Sequence, residues 1–167
     1  FVQCWDASKQ QLLVGVGHPT WDHKSWIAAE MIDITIPETR VAYYVSQKKP
    51  GSEVAAEMSA ALCAMGLLFK ELQVDADTDT MFRVSRELLD FAIKYPGSYS
   101  ISVPDVQEFY KSWTGFYDEL AWAAMWQYRS DMDTAWLDIA LQNYQQYQKA
   151  NPSVKPDTWA FAWDDKS

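Results

Sequence analysis

From residue 52 onward, apolar side chains recur at helical spacing; the first third of the chain does not share the pattern. Met58, Leu62, Met65, Phe69 and Leu72 alternate four- and three-residue steps, which places them on one stripe of a helix. Pro50-Gly51-Ser52 marks its start, with Ser52 as predicted N-cap and Glu53 and Glu57 at the positive end of the dipole. A second helix is predicted over 79–95, with Phe82, Leu88, Leu89 and Phe91 apolar, and Pro96-Gly97 stops it. The third, over 118–129, is apolar nearly all round and should be buried on several sides. The fourth, over 133–150, carries Trp136, Ala140, Tyr144 and Tyr147 on one face before Asn151-Pro152. The first fifty residues read as turns and short extended pieces, including an apolar run closed by Gly17-His18-Pro19. Helices in sequence joined by short loops define an all-α class, arranged as an open solenoid or a closed α/α toroid.

Composition narrows the partners. A chain of 167 residues, 49% hydrophobic, is long enough to bury a core and fits one domain. The formal net charge of −9, without a Lys/Arg cluster, argues against nucleic acid and anionic membrane. No apolar run is predicted to span a bilayer. Cys63 sits in an apolar helical run and reads as a small buried hydrophobe; a disulfide with Cys4 stays open. Aromatics make up 15% of the chain, more than a generic helical domain needs, and groove-lining rings are one use for such an excess.

Chemistry concentrates in the stretch from Phe109 to Trp122. Phe109, Tyr110 and Trp113 precede a helix and are interleaved with Lys111 and Ser112, a pattern that suits a sugar-stacking platform as well as ordinary core packing. Asp118 and Glu119 follow Thr114 and Gly115. Acids there favour the helix dipole, but with the preceding hydroxyl and carbonyls they can also converge on calcium, which takes six or more oxygens. Asp164-Asp165 offers another acid from a distant loop. His23 and Trp26 form a further polar-aromatic group, and Trp159, Phe161 and Trp163 another near the end. The HExxH, CxxC and Gly-x-Ser-x-Gly patterns are missing from the sequence, which weakens zinc-protease, thiol and α/β-hydrolase readings.

Several of these blocks resemble glycoside hydrolase family 9, in the family's order. Val14-Gly15-Val16-Gly17 resembles the approach to its Val-Gly-Asp turn, and Asp22-His23-Lys24-Ser25-Trp26 its Asp-His-x-x-Trp segment. The run from Pro50 to Glu57 is similar to the start of a family helix, and Phe109–Trp122 to Phe-Tyr-x-Ser-x-Ser-Gly-Tyr-x-Asp-Glu-Leu-x-Trp. Trp163-Asp164-Asp165-Lys166 resembles a further block. The resemblance covers nearly the whole chain. It implies a secreted, calcium-bearing β-1,4-glucanase with an (α/α)6 barrel and a cleft for cellulose or another β-1,4-glucan. His23, Trp26, Phe109, Tyr110, Trp113 and Trp159 then match cleft positions. Thr114, Gly115, Asp118, Glu119 and Asp164 match a structural calcium site, with Asp165 next in register.

Family chemistry is inverting hydrolysis by two separated carboxyls, one activating water and one protonating the leaving oxygen. The blocks that carry that base and that acid do not occur among these residues, so no catalytic residue is assigned. Residues 1–167 are expected to be one partial catalytic domain, inactive alone and partnered by the rest of the parent domain. The sequence also departs from the family pattern: His18 stands where Asp is usual, and Arg40-Val41-Ala42-Tyr43 where Arg-Pro-Ala-Tyr is common. These departures keep a non-catalytic glycan-binding relative open. A helical scaffold with the aromatics as core is the other alternative.

Overall fold

A computed structural model describes residues 1–35, 40–154, 162 and 164–166. The extended pieces of the first third form a three-stranded antiparallel sheet: β1 (Trp5–Asp6), β2 (Gln11–Val16) and β3 (Ala42–Ser46), in the order β1-β2-β3. Trp5 pairs with Leu12, and Leu12 with Val45, so one face of the sheet is apolar and all three residues are buried. A register shift between Leu13 and Gly15 interrupts the β2–β3 ladder, which resumes with Gly15 opposite Tyr43 and Val16 opposite Ala42. Between β2 and β3 run two short helices, α1 (Pro19–Lys24) and α2 (Ile32–Thr35).

Six helices follow: α3 (Ser52–Glu71), α4 (Thr78–Lys94), α5 (Tyr99–Ser102), α6 (Gln107–Tyr110), α7 (Tyr117–Asp131) and α8 (Ala135–Ala150). The long ones pack as two hairpins, α3 on α4 and α7 on α8, joined through α3 against α7. The sheet sits on α4, where Trp5 meets the Phe91 ring edge-on at 5.3 Å and its indole N–H donates to Glu87 at 2.8 Å.

The buried face of α3 follows the predicted stripe only in part: Leu62 is buried and Met58 packs on the core. Ala55, Ala56, Ser59, Ala60, Cys63 and Gly66 face the neighbouring helices, whereas Met65 and Leu72 are exposed. Small side chains let backbones approach closely: a Cβ on Gly66 would lie 3.0 Å from the Phe82 ring. Close approach also permits a polar knot. The Ser59 hydroxyl donates to the Ser85 carbonyl and the Ser85 hydroxyl to that of Ser59, both at 2.7 Å. The Gln127 amide donates to both hydroxyls and so joins α7 to the pair.

Helix ends moved for local reasons. Gly51, not Ser52, is the N-cap of α3; the Ser52 hydroxyl instead donates to the Ala92 carbonyl at 2.9 Å and accepts from the Gly97 N–H. On α4 the cap is Asp77, whose carboxylate accepts from the Thr80 N–H, so the helix starts one residue before the predicted Asp79. By length and apolarity alone α3 could cross a membrane, contrary to the sequence expectation, but half of it is buried among the other helices. Cys4 and Cys63 are both free, which closes the disulfide alternative; the Cys63 thiol donates to the Trp126 carbonyl.

Candidate functional site

The predicted cleft residues come from elements far apart in sequence. Pro19 opens α1 and Asp22 anchors it: Arg40 grips both Asp22 carboxylate oxygens, at 3.0 and 3.3 Å, and also donates to the Val16 carbonyl. That clamp presents His23 toward α6. The His23 ring stacks on Phe109, with centroids 3.8 Å apart and planes 11° from parallel. Its Nδ1 lies 2.7 Å from the Pro19 carbonyl, which can only accept, so Nδ1 carries the proton. In the neutral ring Nε2 is then an acceptor, and the Tyr110 hydroxyl donates to it at 3.1 Å. His23, Phe109 and Tyr110 thus form one wall with a fixed tautomer.

Trp113 stands 72% exposed, three residues along that wall, with the Lys111 ammonium 4.6 Å above its ring. An exposed indole face is available for stacking on a sugar. Trp26 is fully exposed beyond α1 and packs on none of the wall residues. Trp159 lies outside the described residues.

Below the wall opens a cavity of about 420 Å³, lined among others by His23, Tyr99, Tyr110, Glu53, Glu57 and Glu119. Glu53 and Glu119 reach it from the first turns of α3 and α7, and Glu57 from one turn further along α3. Sequence reasoning gave Glu53 and Glu57 only a helix-dipole role. Their i, i+4 spacing beside Ala56 and Ala60 was the available signal that they share one face of α3, on which Glu53 is buried and Glu57 half-buried.

The predicted cation residues meet in the adjacent corner. Gly115 takes a left-handed φ of +97°, which turns the chain sharply into α7. The Thr114 hydroxyl donates to the Asp164 carbonyl at 2.6 Å, and the Asn151 amide donates to the Thr114 carbonyl at 2.9 Å. Asp118 accepts from the Lys166 N–H at 2.8 Å, so segments 114–118 and 164–166 face each other. Asp165 points elsewhere and accepts from the Tyr147 hydroxyl. Asp118 Oδ1 and Glu119 Oε2 are buried with no hydrogen-bond donor. Burial raises the proton affinity of both carboxyls, and for Glu119 the neighbouring Asp118 adds to it. Among the described residues no three His, Cys, Asp or Glu side chains cluster as metal ligands. Two orphaned carboxylate oxygens beside a Thr hydroxyl and backbone carbonyls nonetheless fit the mixed oxygen set that calcium accepts.

The packed helix hairpins thus carry an aromatic wall over an acid-lined cavity. The sequence pattern of glycosyl hydrolase family 9 matches residues 1–167, and the chain belongs to that family. It is 39% identical to endoglucanase 2 of Arabidopsis thaliana over 160 residues, 95% of this chain and 29% of that protein. With endoglucanase B of Cellulomonas fimi it shares 36% identity over 157 residues, 93% of this chain and 14% of that one. The fold superposes on the endoglucanase of the termite Nasutitermes takasagoensis with a TM-score of 0.81 and 31% identity, covering 99% of this chain and 36% of that one. Endoglucanase CelQ of Clostridium thermocellum, solved with cellotriose, gives a TM-score of 0.78 and 28% identity, covering 99% of this chain and 25% of that one. The chain therefore spans about a third or less of these relatives, and its mostly helical fold is a portion of the family's (α/α)6 barrel.

Proposed function

We propose that these residues form the glucan-binding wall and a calcium corner of a secreted endo-β-1,4-glucanase that hydrolyses its substrate with inversion. The observation that carries the reading is the tautomer-fixed His23, stacked on Phe109 and bonded to Tyr110, at the mouth of an acid-lined cavity. Flat rings at a groove edge suit the apolar faces of glucose units, and the imidazole and phenol suit their hydroxyls. One solved relative, endoglucanase CelQ, was captured with cellotriose and with cellotetraose, which supports a β-1,4-glucan as ligand.

On this reading the wall residues orient the chain, and the water-activating and proton-donating carboxyls come from the rest of the parent catalytic domain. Thr114, Gly115, Asp118, Glu119 and Asp164 would hold calcium, whose charge offsets the two buried carboxyls. Glycosyl chemistry needs the wall held still, and the Thr114–Asp164 and Asp118–Lys166 contacts tie its downstream end in place.

The complete catalytic domain should release reducing sugar from carboxymethylcellulose, and excess chelator should lower its melting temperature. By ligand linkage the stabilisation grows by about 1.4 kcal/mol for each tenfold rise of free calcium above its dissociation constant. Absence of sugar release would remove the hydrolase reading. A melting temperature indifferent to chelator and to added calcium would remove the calcium corner.

A further inference from the structure

The wall between α6 and α7 has no helix or strand to hold it. Residues 111–116 carry no regular backbone ladder, yet Tyr110 and Trp113 must stand at defined positions if they are to grip a ligand. Something outside the segment has to set its place.

Glu53 makes the contacts that can do so. It lies in the first turn of α3, the longest helix among the described residues, and is 4% exposed. One of its oxygens, Oε1, accepts three hydrogen bonds: from the Ser98 hydroxyl at 2.6 Å, the Tyr99 N–H at 2.8 Å and the Ser112 hydroxyl at 2.9 Å. The Ser112 bond reaches the wall directly, between Tyr110 and Trp113. The Tyr99 bond reaches it indirectly, because the Tyr99 hydroxyl donates to the Tyr110 carbonyl. Both peptide neighbours of Lys111 are therefore tied back to one carboxyl. From there the order passes outward, through the Tyr110 hydroxyl to His23 and through the His23 ring to Phe109.

The other oxygen, Oε2, is buried, accepts nothing, and belongs to a residue lining the cavity. A residue placed only to face the helix dipole would not need burial or three donors on one oxygen. We propose that Glu53 is a positioning residue for the glucan wall, acting through Ser112 and Tyr99; this rests on the functional reading above. Its role is served by the carbonyl-like oxygen Oε1 and does not require a negative charge.

Two serines that donate to the same oxygen separate positioning from general support. Ser112 lies in the wall segment, whereas Ser98 lies outside it, at the N-cap of α5. In the complete catalytic domain, Ser112→Ala should weaken cellotetraose binding about fivefold or more, the equivalent of one lost hydrogen bond. Ser98→Ala should stay within about twofold of wild type, with a comparable loss of melting temperature. Glu53→Gln, which presents an oxygen to the same three donors, should stay within about threefold, and Glu53→Ala should bind at least as weakly as Ser112→Ala. Isothermal titration gives each dissociation constant. Equal binding losses for Ser112→Ala and Ser98→Ala would overturn the inference, as would wild-type affinity in a folded Glu53→Ala. A wild-type domain that binds no cellooligosaccharide would overturn the cleft reading first, and the inference with it.

Discussion

At the residue scale, the buried acids govern the pH response of this fold. Glu53 is driven toward its protonated form by burial, against the opposing pull of its three donors. Between the ordinary carboxylate value and its raised value, the folded protein then binds more protons here than the unfolded chain does. The stability linked to Glu53 is thus fully present below the ordinary range and is lost as pH rises through the raised value. Glu53→Gln does not titrate, so its melting temperature relative to wild type should climb between pH 4 and pH 8. A gap that stays constant across that range would show that Glu53 keeps an ordinary proton affinity. The pair Glu53 and Glu57 was visible in the sequence, but only as acids at a helix start. Which donors surround an acid depends on residues 45 or more positions away, and no local pattern encodes them.

At the element scale, α3, α4 and α7 are registered by hydrogen bonds as well as by packing. The crossed Ser59–Ser85 pair and the Gln127 amide leave little slack, since each hydroxyl serves as donor and acceptor at once. Ser59→Ala or Ser85→Ala strands a buried carbonyl and weakens the hold on Gln127, and each should cost about 1–3 kcal/mol. The double variant should cost less than the sum of the two by ~0.5 kcal/mol or more, because the hydroxyls share partners. Denaturant unfolding of the four proteins measures this, and strict additivity would show the knot to be two independent bonds. The helices themselves were legible: caps, prolines and apolar spacing located all four long ones to within three residues. The face of α3 was legible only in part. Large apolar residues mark a stripe by hydrophobicity, while the inner contact selects small ones, because the distance between backbones decides which side chains fit.

At the scale of the whole molecule, two hairpins leave apolar surface open. Met65, Leu68 and Leu72 on α3 are exposed, as are Met125 on α7 and Leu141 on α8, the last two beside a cavity of about 420 Å³ lined with Trp122, Leu137 and Tyr144. Exposed apolar area on this scale needs cover, and the barrel of the solved relatives holds further helices. Purified alone, the 167 residues should bind an apolar fluorescent dye more strongly than the complete domain and release no sugar from carboxymethylcellulose. Sugar release by the isolated chain, abolished by one carboxylate substitution within it, would place the missing catalytic groups inside these residues.

The sequence by itself determined the four long helices, the short extended pieces of the first third and the family. Each of these rests on spacing or local chemistry that a linear string preserves. Only the tertiary structure decided that the extended pieces pair into a sheet on α4, that Trp26 stands away from the wall, and that Thr114 meets Asp164. It also decided that His23 carries its proton on Nδ1 and that Glu53 holds the backbone beside Tyr110 and Ser112. These facts depend on which atoms lie within about 3 Å across long stretches of chain. The folded packing sets those distances, and a list of residues does not contain them.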